Sequence, residues 1–403
     1  MESCSASVSH DAEPAAAHSM SARWSWFQLC AARVDVSAKR LVRKTSGAAV
    51  GAARTLDVSA MGLLLLLGLL AGMLADASAR AADLAVATWN LEHLAASSDD
   101  GCRPRSNADY ARLRRVAERL DADVVALQEV ENAAAVARVF DPDEYLILLS
   151  ARPGTPADDC RAMPGQAMTA LRTGFAVRRA RLAELGLVAR ERSALDAIGL
   201  DGLRWGTRLR IEPARKGWWA GWSGDAESGL EILSVHLKAG CHYGALGADH
   251  QPKRLRRSQC EVLRRQRGVL EQWIDEQALA GQAFVVAGDF NRQLDQPNDH
   301  FWQAIDDGEV CRWEADTALG RRCKPGSSRD HPAMRLRLAG AGRDFPYPLN
   351  PRYPYAIDHI VAGGDAADWL VPDSYEVLAF GPGAAPSDHH PVIVRLALPW
   401  PHE

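Results

Sequence analysis

The sequence predicts an α/β domain built on two β-sheets packed against each other. From residue 83 onward, short apolar or β-branched runs alternate with stretches of helical periodicity, without repeats and without a long linker. Sustained over roughly 300 residues, that alternation marks one α/β unit rather than separate all-α and all-β modules. A hydrophobic fraction of 47% with 24% charged residues excludes an intrinsically disordered chain. Lys and Arg number 47 against 51 Asp and Glu, a net charge of −4, which excludes a histone-like polycation.

The N-terminal stretch stands apart. Residues 1–60 are rich in Ala and Ser and lack periodicity, as a low-order extension would. Residues 61–79 open with an uncharged apolar run, Met61 to Ala75, which is short of the ~20 residues that span a bilayer. Ala77-Ser78-Ala79 follows in the small-x-small pattern of a cleavage site, and Lys39, Arg40, Arg43, Lys44 and Arg54 lie upstream. The expectation is a secretory signal peptide, with an uncleaved membrane anchor as the alternative, and either a true start nearer Met61 or a genuine sixty-residue preamble before it. Residues 80–403 would then be the secreted or periplasmic product, one domain with a net charge of −5.

Within that product, Leu84–Trp89 and Val124–Leu127 read as strands bracketing a helix over Asn107–Leu120. That helix places Tyr110, Leu113, Val116, Ala117 and Leu120 on one face. Residues 151–170, with Pro153, Gly154, Pro156, Pro164 and Gly165, read as a loop. Gly174–Val177, Trp205–Ile211 and Leu230–Leu237 are further strands. A long helix follows from Pro252, suited to a first turn, to about Ala280. Phe284–Ala287, Tyr355–Val361 and Val392–Leu396 complete the strands.

Beyond residue 79 the cysteines are Cys102, Cys160, Cys241, Cys260, Cys311 and Cys323. An even number in an exported chain reads as disulfides. Neighbour pairing is expected, with Cys241–Cys260 and Cys311–Cys323 foremost, and buried free thiols are the alternative. No Cys-x-x-Cys occurs, which disfavours a zinc site.

The chemistry is written at the strand ends. Asn90, Glu129 and His236 each close or nearly close an apolar run. Asp289 and Asn291 follow Val285 to Gly288, Asp358 and His359 lie within Tyr355 to Ile360, and Asp388 and His389 precede the last strand. Any one of these is an ordinary strand cap, but their recurrence lays carboxylates and imidazoles along one sheet edge, as in a hydrolytic site. Carboxylates with Asn supply hard oxygen ligands suited to Mg²⁺, Mn²⁺ or Ca²⁺. Histidines beside them suit proton transfer near neutral pH. No Gly-x-Ser-x-Gly elbow, P-loop or strand-linked Gly-x-Gly-x-x-Gly is present, so serine hydrolase, P-loop and Rossmann readings are disfavoured. What remains is metal-assisted attack of water on a phosphate ester.

The segments Thr88-Trp-Asn-Leu-Glu92, Leu127-Gln-Glu-Val130, Ser234-Val-His-Leu-Lys238, Gly288-Asp-Phe-Asn291, Ile357-Asp-His-Ile360 and Ser387-Asp-His-His-Pro391, in this order, resemble the deoxyribonuclease-I-like endonuclease/exonuclease/phosphatase superfamily. The resemblance runs from about residue 84 to 397. It implies a four-layer α/β/β/α sandwich of two packed mixed β-sheets flanked by helices, with the site at one end between the sheets. It also implies a divalent metal, Mg²⁺ with Mn²⁺ or Ca²⁺ as alternatives. Carried over position by position, Glu129 would be the principal metal ligand, supported by Asn90 and, for a second or moving ion, by Asp388. Asp289 would orient or deprotonate the attacking water or assist the leaving oxygen, and Asn291 would hold the phosphate. His389, oriented by Asp358, would contact the scissile phosphate, and His236 would be the second imidazole. The His236 version of its segment differs from that of abasic-site repair enzymes.

Further residues invite two readings each. Arg172 is a candidate phosphate ligand or a solvated arginine, and Lys238 shares a face with His236 and could reach the phosphate. Glu92 shares a face with Asn90, while His359 and His390 point away from their neighbours and read as structural. The basic stripe Lys253, Arg254, Arg256, Arg257, Arg264, Arg265 and Arg267 could track a phosphate backbone or simply be solvated. Trp205, Trp218, Trp219 and Trp222 could form an aromatic hairpin tip for bases or lipid headgroups, or be packed. The expected activity is that of a secreted metal-dependent phosphodiesterase, foremost a nuclease on extracellular DNA or RNA. A sphingomyelinase-like phospholipase C or an inositol-phosphate phosphatase is the alternative. No obligate protein partner is evident, and a monomer is expected.

Overall fold

The computed structural model describes residues 83–400 apart from 155–158, 215–228, 247–253, 317–319, 325–328, 331–334, 344–354 and 381–384. The expected signal segment, the segment holding Trp218, Trp219 and Trp222, and Pro252 with Lys253 lie outside the described residues.

Two six-stranded sheets form the centre. The first consists of β1 (Leu84–Leu94), β2 (Val124–Val130), β3 (Tyr145–Leu149) and β4 (Arg172–Arg178) from the first half. The second consists of β5 (Leu187–Leu195), β6 (Gly206–Pro213), β7 (Leu230–His236), β8 (Ala283–Asp289), β9 (Arg337–Leu338) and β10 (Asp358–Gly363). The chain then returns to complete the first sheet with β11 (Glu376–Val377) and β12 (Val392–Leu396). Strand order is β11-β12-β1-β2-β4-β3 in one sheet and β9-β10-β8-β7-β6-β5 in the other. Both are mixed: β1 runs parallel to β2 and β7 to β8, whereas β12 and β10 pair antiparallel with β1 and β8.

Period-two alternation divides each strand between two cores. Leu84 and Val86 of β1, Val124 and Ala126 of β2, Ile232 of β7, Val285 and Ala287 of β8, and Ile360 of β10 fill the space between the sheets. The outward residues Ala85, Ala87 and Trp89 pack on Tyr110, Leu113 and Val116 of helix α1 (Asn107–Leu120). Across the molecule, Leu233, Val235, Phe284 and Val286 pack on Leu263, Leu270, Trp273 and Ile274 of helix α2 (Arg254–Leu279). The result is the expected α/β/β/α sandwich, with helices on both outer faces. Helix α1 matches its predicted span because its ends are coded locally: Ser106 and Asp109 form a capping box, and Asp121 ends the helix at φ 46°.

Several expectations need correction. The stretch 151–170 contains two short strands, Asp159–Cys160 and Met163–Ala167. Tyr355 precedes its strand, which begins at Asp358. The edge strand β5 escaped a reading based on apolar runs, because an edge strand with a wet face lacks one: it exposes Arg190, Glu191 and Arg192. The apolar run of β3, Tyr145–Leu149, was overlooked. All three neighbour disulfides are present, Cys102–Cys160, Cys241–Cys260 and Cys311–Cys323.

The last of these closes the hairpin Trp313–Asp316 and Gly320–Cys323, which reaches α2 through a hydrogen bond from Trp313 Nε1 to Asp275 Oδ2 at 2.7 Å. Burial raises the Asp275 carboxyl from 3.8 to about 7, opposed by that bond and abetted by Asp307 and Glu276. A carboxyl raised on folding stabilises the fold below pH 4, and that contribution is lost as pH rises through about 7. Asp275→Asn is therefore expected to gain melting temperature over the parent at pH 8 while differing little at pH 4. Equal shifts at both pH values would show that Asp275 is not the titrating group.

Candidate functional site

The inward rows of the sandwich turn polar toward one end. Continuing the alternation Leu84, Val86, Thr88 gives Asn90, and Leu230, Ile232, Ser234 gives His236. The same counting along β8 and β10 gives Asp289 and Asp358. A buried layer seals the core below them: Thr88 Oγ1 donates to Gln128 Oε1 (3.2 Å) and Gln128 Nε2 to Ser234 Oγ (3.2 Å). Ser234 Oγ in turn donates to the Leu127 carbonyl (3.1 Å). Every polar group in that layer is satisfied, so it seats the polar residues above it without an unpaired cost.

Glu129 breaks the alternation. On a regular strand it would point outward with Leu127, but its backbone is left-handed at φ 57° and the β2–β4 register shifts there. The bulge turns the carboxylate into the cleft. Its Oε2 accepts the His93 backbone N–H at 3.0 Å, and its Oε1 lies 3.7 Å from His236 Nε2.

Asp289 sits at the centre. Its Oδ2 accepts Asn90 Nδ2 (3.1 Å) and Asn291 Nδ2 (3.1 Å), and its Oδ1 accepts the Asn291 backbone N–H (2.8 Å). His236 Nε2 and His389 Nε2 lie 3.4 and 3.8 Å from the same Oδ2. Burial raises the Asp289 carboxyl to about 7 against the pull of His389, with Asp358 and Glu129 adding to the rise. His389 Nδ1 is 2.6 Å from Asp358 Oδ2, which fixes the ring. Burial alone would lower the His389 pKa, but Asp358 and Asp289 hold it well above the usual histidine value. His236 moves the other way: burial, then Arg204 and the neighbouring imidazoles, push it well below the usual value. One imidazole is thus set cationic and the other neutral, a separation expected of groups with different roles.

The carboxylates also crowd one another. Asp388, at the rim with 60% of its side chain exposed, rises to about 6 through partial desolvation and then Glu92, Glu129 and Asp358. Asp358 Oδ1 is buried without a hydrogen-bond partner. An acidic cleft with an orphaned oxygen fits a divalent cation. Asp289, Asp358 and His389 offer ligand atoms within 4.8 Å of one another. That group differs from the ligand set Glu129, Asn90 and Asp388 expected from the resemblance. Within the Asp289, Asp358 and His389 group, Asp358 Oδ2 is hydrogen-bonded to His389 Nδ1, and the orphaned oxygen is the other atom of the same carboxylate.

Other expected residues fall elsewhere. Arg172 donates to the carbonyls of Arg152 (3.0 Å) and Glu131, so its guanidinium braces main chain rather than the cleft. Glu92 pairs with Arg103 and accepts the Asp388 backbone N–H at 2.8 Å, which makes it a scaffold for the Asp388 loop. Lys238 follows β7, and its ammonium pKa is lowered by burial and then by Arg204 and Arg161. His359 Nε2 contacts the Arg292 carbonyl at 2.8 Å and His390 packs on Phe380, both structural as expected. Arg264 pairs with Glu261 at 2.6 Å, so that part of the basic stripe is an ion-paired helix face. Trp205 packs beside Gly199, where an added Cβ would lie 2.3 Å from its ring.

Two arginines escaped the sequence reading. Arg204 donates to the Leu237 carbonyl (3.0 Å), and its guanidinium lies within electrostatic reach of Glu129 and Asp289. Arg292 is fully buried: Nε donates to Asp299 Oδ2 (2.7 Å), Nη1 to the Cys241 carbonyl (3.0 Å) and Nη2 to the Gly244 carbonyl. With its own carbonyl on His359, it ties the loop that follows His236 and the loop that carries Asn291 to β10, which carries Asp358. Neither carries a local signal beyond adjacency to the recognised segments. Arg292→Ala is expected to cost about 3–5 kcal/mol in denaturant unfolding, because Asp299 is left buried and unpaired. A loss under about 1 kcal/mol would show that the clamp is not needed.

No curated protein matches the chain. Among solved structures it is similar to D. rerio TDP2 humanized by 14 mutations, at 15% identity over 78% of this chain and 98% of that chain, TM-score 0.46. It is also similar to the human Nocturnin catalytic domain, at 14% identity over 78% and 92% of the two chains, TM-score 0.44. A Bacteroides thetaiotaomicron endonuclease/exonuclease/phosphatase family protein is similar at 15% identity over 78% and 97%, TM-score 0.44. Likenesses this remote assign no substrate. The decisive comparison is with a family model, Endonuclease/Exonuclease/phosphatase family, which matches residues 87–389. That span starts on the strand that delivers Asn90 and ends on His389, and the chain accordingly belongs to the endonuclease/exonuclease/phosphatase family of phosphate-ester hydrolases.

Proposed function

We propose that the chain is a secreted or periplasmic, divalent-metal-dependent phosphodiesterase that hydrolyses extracellular DNA or RNA. The carrying observation is the convergence on Asp289 Oδ2 of two amide donors at 3.1 Å and two imidazoles at 3.4 and 3.8 Å, with Glu129 beside them. When bound, Mg²⁺ or a related ion at Glu129, Asn90 and Asp388 would neutralise charge on the phosphoryl oxygens. The chain's own groups supply the rest. Asp289, held in place by Asn90 and Asn291, takes the proton of the attacking water, and a pKa of about 7 suits a base working near neutrality. His389, kept cationic by Asp358, donates from Nε2 to a phosphate oxygen. His236 stays neutral and completes the polar wall, and Asn291 and Arg204 hold the phosphate. As water adds, the phosphorus–leaving-oxygen bond breaks, and the leaving alkoxide takes a proton from solvent water to depart as the alcohol.

Export is supported by the apolar 61–79 segment and by three disulfides. Among the described residues no helix is long and apolar enough to cross a membrane. The test is a substrate panel on residues 80–403: plasmid DNA, RNA, sphingomyelin and inositol phosphates, each with Mg²⁺ and with EDTA. Nucleic acid is expected to be cut only with the metal. Hydrolysis of sphingomyelin without cleavage of nucleic acid would overturn the proposal.

A further inference from the structure

His93 has no part in the reaction just described, yet its surroundings are unusual. Glu92 and His93 adopt consecutive left-handed backbone conformations at φ 46° and 53°, within a register shift of the β1–β2 ladder between Asn90 and Leu94. Two successive non-glycine residues in that region are disfavoured, and such strain concentrates where a side chain must be aimed. Here it aims His93 at Glu129. The His93 main-chain N–H bonds Glu129 Oε2 at 3.0 Å, and the ring nitrogen Nε2 stands 3.7 Å from the same oxygen, beyond hydrogen-bonding distance. On the other side, His236 Nε2 stands 3.7 Å from Oε1, so the carboxylate lies between two imidazoles. The other nitrogen of the His93 ring, Nδ1, is buried without a hydrogen-bond partner. A largely covered imidazole without a bond fixing its ring is rare in a folded protein and calls for a reason.

We propose that His93 is a nitrogen ligand of the divalent cation held by Glu129, and that it biases the site toward Mn²⁺ over Mg²⁺. This rests on the reading of Glu129 as the carboxylate that holds the ion. Mg²⁺ demands oxygen donors and retains its waters, whereas affinity for a nitrogen-bearing site rises from Mn²⁺ onward along the first-row series. An all-oxygen site of Glu129, Asn90 and Asp388 would show no such bias. Adding one imidazole favours the ion that accepts nitrogen.

The test is metal binding rather than turnover. Metal-free full chain, His93→Ala, His93→Gln and Glu129→Gln are titrated calorimetrically with MnCl₂ and separately with MgCl₂, and the Mn²⁺ complexes are read by pulsed EPR for coupling to nitrogen-14. His93→Ala is expected to weaken Mn²⁺ binding about tenfold or more and Mg²⁺ binding less than about threefold, with loss of nitrogen coupling. Should His93→Ala fail to melt cooperatively, the same comparison is made on His93→Gln, which keeps a planar polar side chain. Equal weakening of both ions, or unchanged Mn²⁺ binding with nitrogen coupling intact, would overturn the proposal. Glu129→Gln separates the two levels: loss of both ions upholds the carboxylate reading, and retention of both removes that reading together with the role of His93.

Discussion

Glu129→Gln is expected to lower kcat/KM for phosphodiester cleavage by about 10³-fold or more while leaving the melting temperature of the metal-free protein within a few degrees. The amide keeps the shape of the side chain and can still accept the His93 main-chain N–H, so the bulge that aims residue 129 into the cleft survives. What is lost is one negative charge at the seat of the cation. Lewis-acid stabilisation of a phosphoryl oxygen supplies several kcal/mol of the barrier reduction, and each ~1.4 kcal/mol is tenfold in rate. The measurement is kcat/KM at saturating Mg²⁺ beside thermal unfolding in EDTA. Turnover within about tenfold of the parent would remove Glu129 from the metal site.

The second large effect is expected at Asp358→Asn. Asp358 is buried, its Oδ2 is 2.6 Å from His389 Nδ1, and it is foremost among the charges that keep His389 cationic despite burial. Asparagine in that place withdraws the charge and offers either an N–H or a carbonyl to Nδ1, so the ring loses both its proton and its fixed orientation. A positioned acid or base is worth about 10²–10⁴ in rate, and a kcat loss in that range is expected with KM changed much less. With the ion seated at Glu129, as proposed, Mn²⁺ affinity is expected to stay within about threefold. A variant with unchanged kcat would make the pair structural. A variant that loses the ion would instead make Asp358 a ligand.

The fold and most of the site were legible because both are written in period two. Val86-Ala-Thr-Trp-Asn90 announces a strand whose inward row passes from core to cleft, and the segments ending in His236 and Asp289 repeat the device. Helix α1 was readable to the residue because its stop and start are coded within a few positions of its ends. What resisted reading depends on contacts between distant segments. Nothing local distinguishes Arg172, which braces two carbonyls, from Arg204, which lies within electrostatic reach of Glu129. Arg292 looks like a surface residue after Asn291 until the Cys241 loop and Asp299 enclose it. Glu129 was found by its motif, although simple alternation places it on the wrong face. The left-handed turn that corrects this is invisible in composition.

The placement of Asn90, His236, Asp289 and Asp358 in phase with the rows that fill the core bears on how the molecule fails. A slip of one residue in β1, β7, β8 or β10 would carry a row of apolar side chains and a candidate site residue to the opposite face together. Catalysis is thereby a proofreading signal for strand register: a misregistered chain has no partly assembled site with residual turnover. In refolding experiments, recovered specific activity should therefore follow the fraction of chains with correctly paired strands, and not the secondary-structure content, which a slipped sheet would largely preserve.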